Sequence, residues 1–251
     1  MRRLFVPARQ ILNARTVISG DEFHHLRHVL RLQAGDEVTL CDDQGQEHYG
    51  TVATLSPTSA EVTIRHTRPA QTSRVALTLG LGLLRGPKMD LVIEKVTELG
   101  VDRVVPFTST FTVSRLPAER RGERLARWQR IAQSAAKQSG SKVPQFLVPQ
   151  TFAQLCNFQS PDTTTILFYE QERRSTLKTF ANDHSHLASL CIIVGPEGGF
   201  APQEVEQAQR RGVHILGLGS QILRAETASI VAVALCRFLW DGAAIPPLPR
   251  R

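Results

Sequence analysis

Cysteine is scarce in this chain and never closely spaced. Its four cysteines stand far apart, at Cys41, Cys156, Cys191 and Cys236, and no C-x-x-C pair occurs. Disulfide-stapled secreted domains and cysteine-based zinc sites need cysteines at closer spacings. The sequence therefore excludes both classes and predicts a reduced, intracellular protein with buried thiols.

Long apolar runs are missing as well. The longest apolar helical stretch, residues 230–240, is shorter than the ~20 residues of a membrane span and contains Arg237. No apolar run follows the arginines at the N-terminus, which argues against a secretory signal peptide. We therefore expect a cytoplasmic protein that does not contact a membrane.

Positive charge exceeds negative charge. Thirty lysines and arginines against 23 aspartates and glutamates give a formal net charge of +7. A basic protein favours an acidic partner, most commonly nucleic acid, although a merely soluble basic protein fits the same composition. Arg120, Arg124 and Arg127 follow one side of a predicted helix, and such a stripe is either a solvated face or a surface that follows phosphates.

Two parts of the chain differ in their hydrophobic pattern. Residues 1–70 predict a small, mostly β unit, with a helix from Asp21 and strands at 4–6, 37–41, 48–55 and 60–66. Thr67–Arg74 is polar and is the predicted linker. From residue 74 to 251 strands alternate with helices, which is typical of a largely parallel sheet with helices on both faces. The strands predicted there are 75–84, 103–107, 163–169, 191–194 and 213–216; the helices are 89–99, 119–137, 175–180, one from Pro202, and 224–240.

Three histidines on the first predicted helix raise the question of a metal site. His24 and His28 are four residues apart on one helical face, with His25 beside them. The glutamate of an HExxH zinc motif and a nearby cysteine are both missing from this stretch. We interpret this face as solvated or turned toward RNA, and we expect no metal.

Two glycine-rich loops near the C-terminus point to a ligand site. The strand 191–194 runs into GPEGGF (195–200), and the strand 213–216 runs into GLGS (217–220). Loops that follow such strands lie together at the carboxyl edge of a parallel sheet, where ligands of these sheets bind. Neither loop has the spacing of a phosphate-binding loop or of a dinucleotide site. Glycine loops that merely reverse the chain have the same pattern, so it leaves a purely structural role open.

Several motifs together resemble one family. GPEGGF and LGLGSQILRAETA, with KMDLVIEKVTELGVDRVVPF (88–107), QSGSKVP (138–144) and HVLRLQAGD (28–36), resemble the RsmE-type enzymes, which are 16S ribosomal RNA uracil-N3 methyltransferases of the SPOUT superfamily. The resemblance implies a PUA-like RNA-binding β-barrel domain at residues 1–70. It implies a SPOUT α/β methyltransferase domain with a deep trefoil knot at residues 74–251. It also implies a homodimer whose partner is 16S ribosomal RNA or the small ribosomal subunit.

The resemblance further implies S-adenosylmethionine as the cofactor and the residues that hold it. Methylation of an imide nitrogen needs a cation to stabilise the uracil oxygens and an acceptor for the proton. Arg224 is the implied catalytic cation, and Glu197 and Glu226 are the available carboxylates, although Glu226 also suits a structural role in the first turn of a helix. The implied cofactor-binding residues are Val194, Gly195, Pro196, Glu197, Gly198, Leu216, Gly217, Leu218, Gly219, Ile222, Leu223, Arg224, Thr227 and Ala228.

RNA contacts are expected elsewhere, and the chain departs there from the family pattern. Residues predicted to contact RNA phosphates are Arg3, Arg27, Arg31, Arg85 and Lys88. Ser109–Phe111 stands where the family has a Ser/Thr-Glu-Arg run, and Lys137–Ser141 stands where it has Glu-Gln-Ser/Cys-Gly-Arg. These departures affect the expected RNA contacts and leave the cofactor motifs intact.

Alternative functions and one structural question stay open at this point. A SPOUT enzyme acting on another RNA, such as transfer RNA, fits the same motifs. An inactive RNA-binding assembly factor fits less well, since Gly195, Glu197, Arg224 and Glu226 are all present. The last helix is apolar almost all round, so it needs cover from the rest of the monomer or from a second subunit. The resemblance favours the second subunit.

Overall fold

The computed structural model describes residues 3–68, 75–114, 116–157 and 162–241. It divides into two compact units: an N-terminal unit of residues 1–72 and 133–143, and a C-terminal unit of residues 73–132 and 144–251. Most of the predicted linker, residues 69–74, lies outside the described residues.

The N-terminal unit is built on a sheet that has five strands in its described part. The strand order is β1-β3-β4-β5-β2, with β1 parallel to β3 and the other neighbours antiparallel. Apolar side chains alternate along the strands and bury one face, where Leu40, Val52 and Val62 are at most 1% exposed. The strands are β1 (Arg3–Phe5), β2 (Arg15–Ser19), β3 (Glu37–Cys41), β4 (Glu47–Leu55) and β5 (Ser59–Arg68).

A short helix completes this core. The helix α1 (Gly20–His24) continues as a π-helix, His25–Val29, and buries Phe23 and Leu26 among the strand residues. The sequence pattern predicts this helix but misses β2. That strand buries Thr16 and Ile18 but exposes Val17, so its sequence lacks the apolar-polar alternation that marks a strand.

The C-terminal unit contains the parallel sheet that the sequence predicts. Its strands run in the order β12-β10-β11-β6-β7-β8, with β9 beside β7, and every described pairing is parallel. The strands are β6 (Ala76–Gly82), β7 (Arg103–Thr108), β8 (Gln145–Phe146), β9 (Gln150–Thr151), β10 (Thr163–Phe168), β11 (Ser189–Val194) and β12 (His214–Leu216). The prediction misses β8 and β9, because two residues carry no periodicity.

The helices of the C-terminal part follow the predicted alternation with small shifts. They are α2 (Gly86–Glu98), α3 (Arg121–Ser139), α4 (Phe152–Asn157), α5 (Leu177–Asp183), α6 (Pro202–Arg210) and α7 (Ala225–Trp240). A 3₁₀ turn, Ala118–Arg120, precedes α3, and α4 is missed by the sequence pattern. The helix predicted at 175–180 begins at Leu177 because Thr176 caps it with a reciprocal hydrogen-bonded box.

The strand order decides which loops meet. β10 lies between β11 and β12, so the segment that follows β10 lies between the two glycine loops. The sequence predicts both loops at the same edge, but it does not predict that β10 separates their strands. The carboxyl ends of three strands therefore converge there rather than two.

The last helix is covered on one side only within the described chain. α7 packs against α2 and β11, and its residues Ala232 and Val233 are fully buried. On the other side Leu235, Phe238 and Leu239 are 38%, 69% and 37% exposed. Burial within one chain therefore covers only part of the apolar surface predicted for this helix.

Arg237 fixes the C-terminal end of α7. Its guanidinium donates to the carbonyl oxygen of Val75 at 2.8 Å and to that of Gly100, and it pairs with the carboxylates of Asp102 at 2.8 Å and Asp241 at 2.9 Å. This single side chain, only 11% exposed, joins the helix to the segment before β6 and to the turn between α2 and β7.

The four cysteines are free thiols, and all except Cys41 are buried. Burial raises the pKa of the Cys191 and Cys236 thiols to about 12 and that of Cys156 to about 11. Such thiols stay protonated at neutral pH and are chemically inert. In the described part of the chain, no helix is both long and apolar enough to cross a membrane.

Candidate active site

A cavity of about 300 Å³ lies at the carboxyl edge of the parallel sheet, among the ends of β10, β11 and β12. Three segments form most of its wall: residues 168–170 at the end of β10, residues 194–200 at the end of β11, and residues 218–225 leading from β12 into α7. Lys88 of α2 and Ala228 of α7 complete the lining. The predicted glycine loops are thus brought together around one space.

The first glycine loop is formed by close packing. Gly199 has a φ of +69° and donates its N–H to the carbonyl of Pro196 at 2.9 Å, which closes a tight turn that favours glycine. A methyl group on Gly195 would meet the ring of Phe200 at 2.9 Å, and one on Gly82 of β6 would collide with the backbone of Pro196. The absence of side chains at these positions lets β6 approach the backbone of the loop and lets the Phe200 ring pack against Gly195.

The second glycine loop is held by hydrogen bonds from the segment after β10. Gly217 donates its N–H to the carbonyl of Ser175 at 2.9 Å, and a side chain there would collide with the carbonyl of Glu172. Arg173 donates to the carbonyl of Ser220 at 2.6 Å. The segment after β10 is itself held in a turn, because the Glu172 carboxylate accepts the backbone N–H groups of Arg174 and Ser175.

A charged cluster stands at one side of the cavity. The ammonium of Lys88 lies 3.3 Å from a carboxylate oxygen of Glu226 and 3.8 Å from one of Glu197. The same Glu197 oxygen accepts the backbone N–H of Arg85 at 3.2 Å, which ties the first glycine loop to the start of α2. Lys88, predicted as a phosphate contact, therefore lies in the cavity wall between two carboxylates.

The environment of Glu226 makes it a weak base. Burial acts to raise its pKa, but the backbone N–H in the first turn of α7 and the ammonium of Lys88 outweigh burial and hold the pKa below its ordinary value. A carboxylate with a lowered pKa stays ionised at neutral pH and accepts a proton poorly. Its geometry suits holding Lys88 in position.

Most of the predicted cofactor residues share the cavity wall. Those that line it are Val194, Gly195, Pro196, Glu197, Gly198, Leu218, Gly219, Ile222, Leu223, Arg224 and Ala228. Arg224, predicted as the first helical residue, is the extended N-cap of α7 and is exposed at the cavity. Leu216, Gly217 and Thr227 are not among the lining residues; the first two are buried at the end of β12, and Thr227 is exposed on α7.

Sequence reasoning missed part of the wall. The additional lining residues are Phe168, Tyr169, Glu170, Gly199, Phe200, Gln221 and Ala225. Phe168 ends β10 and Tyr169 and Glu170 follow it, and only the strand order reveals that they face the site. A sequence signal existed for Gly199 and Phe200, since both belong to the GPEGGF motif.

The other residues predicted to contact RNA are differently placed. Arg3 is only 20% exposed and pairs with Glu47 at 2.5 Å. Arg27 and Arg31 are exposed in the N-terminal unit, and Arg85 is exposed before α2. The rings of His24 and His28 lie 4.5 Å apart, and the described residues contain no group of three or more side chains able to hold a metal ion.

The predicted arginine stripe is only partly free. Within it, Arg127 pairs with Asp90 of α2 at 2.6 Å, so its charge is already partly balanced.

Both segments that depart from the family pattern are packed into the structure. In the C-terminal unit, Thr110 donates its N–H to the Glu204 carboxylate at 2.9 Å, and Phe111 packs against Gly198. In the N-terminal unit, Lys137 pairs with Glu22 of α1. The segment Ser109–Phe111 therefore packs against the GPEGGF loop and supports it.

Two family models match this chain. The RNA methyltransferase domain matches residues 71–237, and the RNA methyltransferase PUA domain matches residues 18–65. Together they cover the glycine loops, the parallel sheet and most of the N-terminal sheet.

Similar proteins of the same kind are found in several bacteria. The ribosomal RNA small subunit methyltransferase E of Bacillus subtilis is 31% identical over 93% of this chain and 95% of its own length. That of Synechocystis is 30% identical over 96% of this chain and 78% of its own.

Solved structures show the same architecture over nearly the whole chain. The ribosomal RNA small subunit methyltransferase E from Neisseria gonorrhoeae, bound to S-adenosyl methionine, has a TM-score of 0.81 and 31% identity, covering 96% of this chain and 98% of its own. A probable rRNA-methyltransferase from Porphyromonas gingivalis has a TM-score of 0.80 and 28% identity, covering 95% and 98%. These matches confirm the resemblance and the predicted fold class, an α/β domain of the SPOUT type preceded by a small PUA-like β unit. The chain belongs to the RNA methyltransferase family of the ribosomal RNA small subunit methyltransferases E, the RsmE-type enzymes.

Proposed function

We propose that this chain is an S-adenosylmethionine-dependent methyltransferase that methylates N3 of a uridine in 16S ribosomal RNA of the small subunit. The enzyme class follows from the family, since the Bacillus subtilis relative is named for methylation of small-subunit ribosomal RNA and the Neisseria structure holds S-adenosyl methionine. The observation that carries the proposal is the cavity between the two glycine loops, because Gly195, Gly198, Gly199 and Gly219 line it and leave main-chain groups accessible to a ligand.

The cavity fits the cofactor in size and chemistry. Its volume of about 300 Å³ is at the lower end of the range for small-molecule sites. Phe168, Phe200 and Leu223 give it an apolar wall suited to an adenine ring, while Glu170 and Glu197 give it negative charge suited to a cationic ligand. When bound, S-adenosylmethionine supplies the methyl group from its sulfonium.

Arg224 and Lys88 are the proposed cations at the reacting base. As uracil N3 loses its proton and forms a bond to the methyl carbon, negative charge develops on the neighbouring carbonyl oxygens. Guanidinium and ammonium donors held at the cavity stabilise that charge without reorganising. Lys88 is already positioned by Glu226 and Glu197, and Arg224 extends from the N-cap of α7.

Glu197 is the proposed acceptor of the N3 proton. Of the two predicted carboxylates, Glu226 accepts a proton poorly because its pKa is lowered and it is paired with Lys88. Glu197 lies on the first glycine loop and lines the cavity. N3 gives its proton to Glu197 while the carbon–sulfur bond of the sulfonium breaks and the nitrogen–carbon bond forms.

The division of labour and the assembly are also proposals. Residues 1–70 form a PUA-like RNA-binding domain, and residues 74–251 form the methyltransferase domain with the SPOUT knot. A homodimer is supported by the exposed apolar side of α7, Leu235, Phe238 and Leu239, which a second copy would cover. We also propose a cytoplasmic location, because ribosomal RNA is the substrate.

Mapping of modified uridines tests the proposed reaction. Small-subunit RNA from cells with the gene should contain a 3-methyluridine, found by mass spectrometry, that is missing without the gene and returns with the wild-type gene but not with Arg224→Ala. Calorimetry should show that the purified chain binds S-adenosylmethionine. A modified transfer RNA instead would move the activity to another substrate, and a chain that binds no cofactor would be an inactive assembly factor.

A further inference from the structure

The outward face of the N-terminal sheet carries a stack of aromatic and cationic groups. The rings of Tyr49 and His66 are 4.6 Å apart with 6° between their planes. The guanidinium carbon of Arg68 lies 5.4 Å from the centre of the Tyr49 ring. We name these three residues the stacking platform. The sequence pattern and the family resemblance assign none of them to RNA.

A β-bulge builds the platform. Gly50 of β4 pairs with Ile64 of β5, but the preceding residue of β4, Tyr49, pairs with His66, so Arg65 is an extra residue. Ile64 points into the core and is 8% exposed, and without the bulge His66 would point the same way. The extra residue turns His66 and Arg68 to the outward face beside Tyr49.

The platform is anchored on one side and open on the other. Glu47 accepts the hydroxyl of Tyr49 at 2.5 Å and pairs with Arg3 at the same distance, which fixes the tyrosine ring. His66 and Arg68 are exposed, and no acidic side chain among the described residues forms an ion pair with Arg68. Its opposite neighbour in the sheet, Glu47, is already engaged by Arg3 and Tyr49.

The surroundings leave the platform accessible at the edge of β5. β2 pairs only with Ser59–Thr63 of β5, so residues 66–68 have β4 on one side and no described strand on the other. At the opposite end of the same sheet, β1 is covered, since Lys137 lies 5.5 Å from the ring of Phe5 and Gly140 packs against Arg3. His66 and Arg68 therefore lie at a sheet edge that no described strand covers.

We propose that Tyr49, His66 and Arg68 bind an unpaired stretch of RNA. A base stacks on the exposed imidazole of His66 and extends the stack that Tyr49 begins, while Arg68 contacts an adjacent phosphate. Unpaired bases present a free face to such aromatic groups, whereas bases within a duplex do not. The proposal rests on the proposed RNA substrate but not on the methyl transfer, and it gives the N-terminal unit a contact with bases as well as with phosphates.

Binding of a labelled oligonucleotide to the full chain tests the platform. The probe is a fluorescent oligouridine of about 12 nucleotides, a length within the range of single-strand sites. We expect His66→Ala to weaken binding about tenfold through the loss of one stacked base, and His66→Phe to restore it. Arg68→Ala should lower the slope of log affinity against log salt by about 0.7 for one single-strand phosphate contact. Arg15→Ala, which changes an exposed arginine of β2 that pairs with Glu61, is the matched control and should bind as the wild type does.

The outcomes separate this proposal from the proposed function. Wild-type affinity in both His66→Ala and Arg68→Ala, with unchanged thermal unfolding, would overturn the platform. An equal loss for a fully paired RNA of the same length would also overturn it, because stacking does not act on paired bases. Calorimetry with S-adenosylmethionine and methylation of small-subunit RNA by the wild type are measured separately. Their failure would remove the proposed function and leave a measured effect of His66→Ala standing.

Discussion

The two glycine loops of the cavity are stabilised in different ways. The first, residues 195–200, is formed by its own tight turn and by packing against Gly82 and Phe111. The second, residues 217–220, depends on hydrogen bonds from the segment after β10, through Ser175 and Arg173. The first loop is therefore a fixed wall set by steric fit. The second is positioned by a separate segment and leads directly to Arg224.

The largest expected effect is on catalysis, at Arg224, which follows the second loop, and it should leave cofactor binding unchanged. Arg224→Ala should lower kcat about 10²–10³-fold, since it removes a donor from the developing charge on the uracil oxygens. Affinity for S-adenosylmethionine, measured by calorimetry, should change little. Arg210→Ala, on the exposed surface of α6, is the control and should leave kcat unchanged. If cofactor binding is lost together with activity, Arg224 belongs to the cofactor cradle instead.

A steric test addresses the first loop. Gly82→Ala should lower the free energy of unfolding by about 2–3 kcal/mol and abolish cofactor binding, because the added methyl group collides with the backbone of Pro196. Urea denaturation measures the first effect and calorimetry the second. Gly122→Ala on α3 is the control, since its added methyl group meets nothing within 4 Å and a helical glycine is itself unfavourable. An unaffected Gly82→Ala protein would show that the first loop adapts.

Removing a hydrogen bond that positions the second loop should have a smaller effect, on cofactor affinity. Arg173→Ala removes the donor to the Ser220 carbonyl and should weaken S-adenosylmethionine binding about tenfold, equivalent to roughly 1.4 kcal/mol. The free energy of unfolding should change less than in Gly82→Ala. Arg174→Ala changes an exposed neighbour and serves as the control. Equal affinities for the two variants would mean that the loop holds its shape without Arg173.

The smallest effect concerns the carboxylate next to the second loop. The folded-state pKa of Glu226 lies below its ordinary value of 4.5, so its ionised form stabilises the folded protein above that pH, and the stabilisation is lost as pH falls through the folded pKa. Glu226→Gln should therefore be less stable than the wild type at neutral pH, by under about 1 kcal/mol. Urea denaturation over a pH series should show the difference vanishing below pH 4.5. A difference that is constant with pH would exclude the Lys88 ion pair as its cause.

Sequence could predict what is local in this protein and not what depends on strand order. The GPEGGF and GLGS turns, the parallel sheet and Arg224 at the start of the last helix follow from motifs and periodicity. The parts of the site contributed by Tyr169, Glu170 and Arg173 do not, because only the insertion of β10 between β11 and β12 brings them in. The sequence alone assigns Lys88 to RNA phosphates because it shows the charge of Lys88 but not its partners, Glu197 and Glu226, which lie more than a hundred residues away along the chain.

The N-terminal unit gives the same lesson at smaller scale. Alternation predicts β4 and β5, but a single extra residue, Arg65, reverses the direction of every side chain after it. The sequence pattern does not show that Arg65 is the extra residue, because only the pairing of β4 with β5 reveals the bulge. The orientation of His66 could therefore be known only from the structure.

Arg237 has a consequence for how genetic variants of this protein should be interpreted. It clamps the helix that begins beside the cavity, yet it lies at the opposite end of that helix and touches neither loop. A screen for inactive alleles should recover changes at this position as readily as changes at Arg224. Such alleles would be inactive because α7 is no longer held in place. Their recovery would not show that Arg237 contacts the substrate or belongs to the active site.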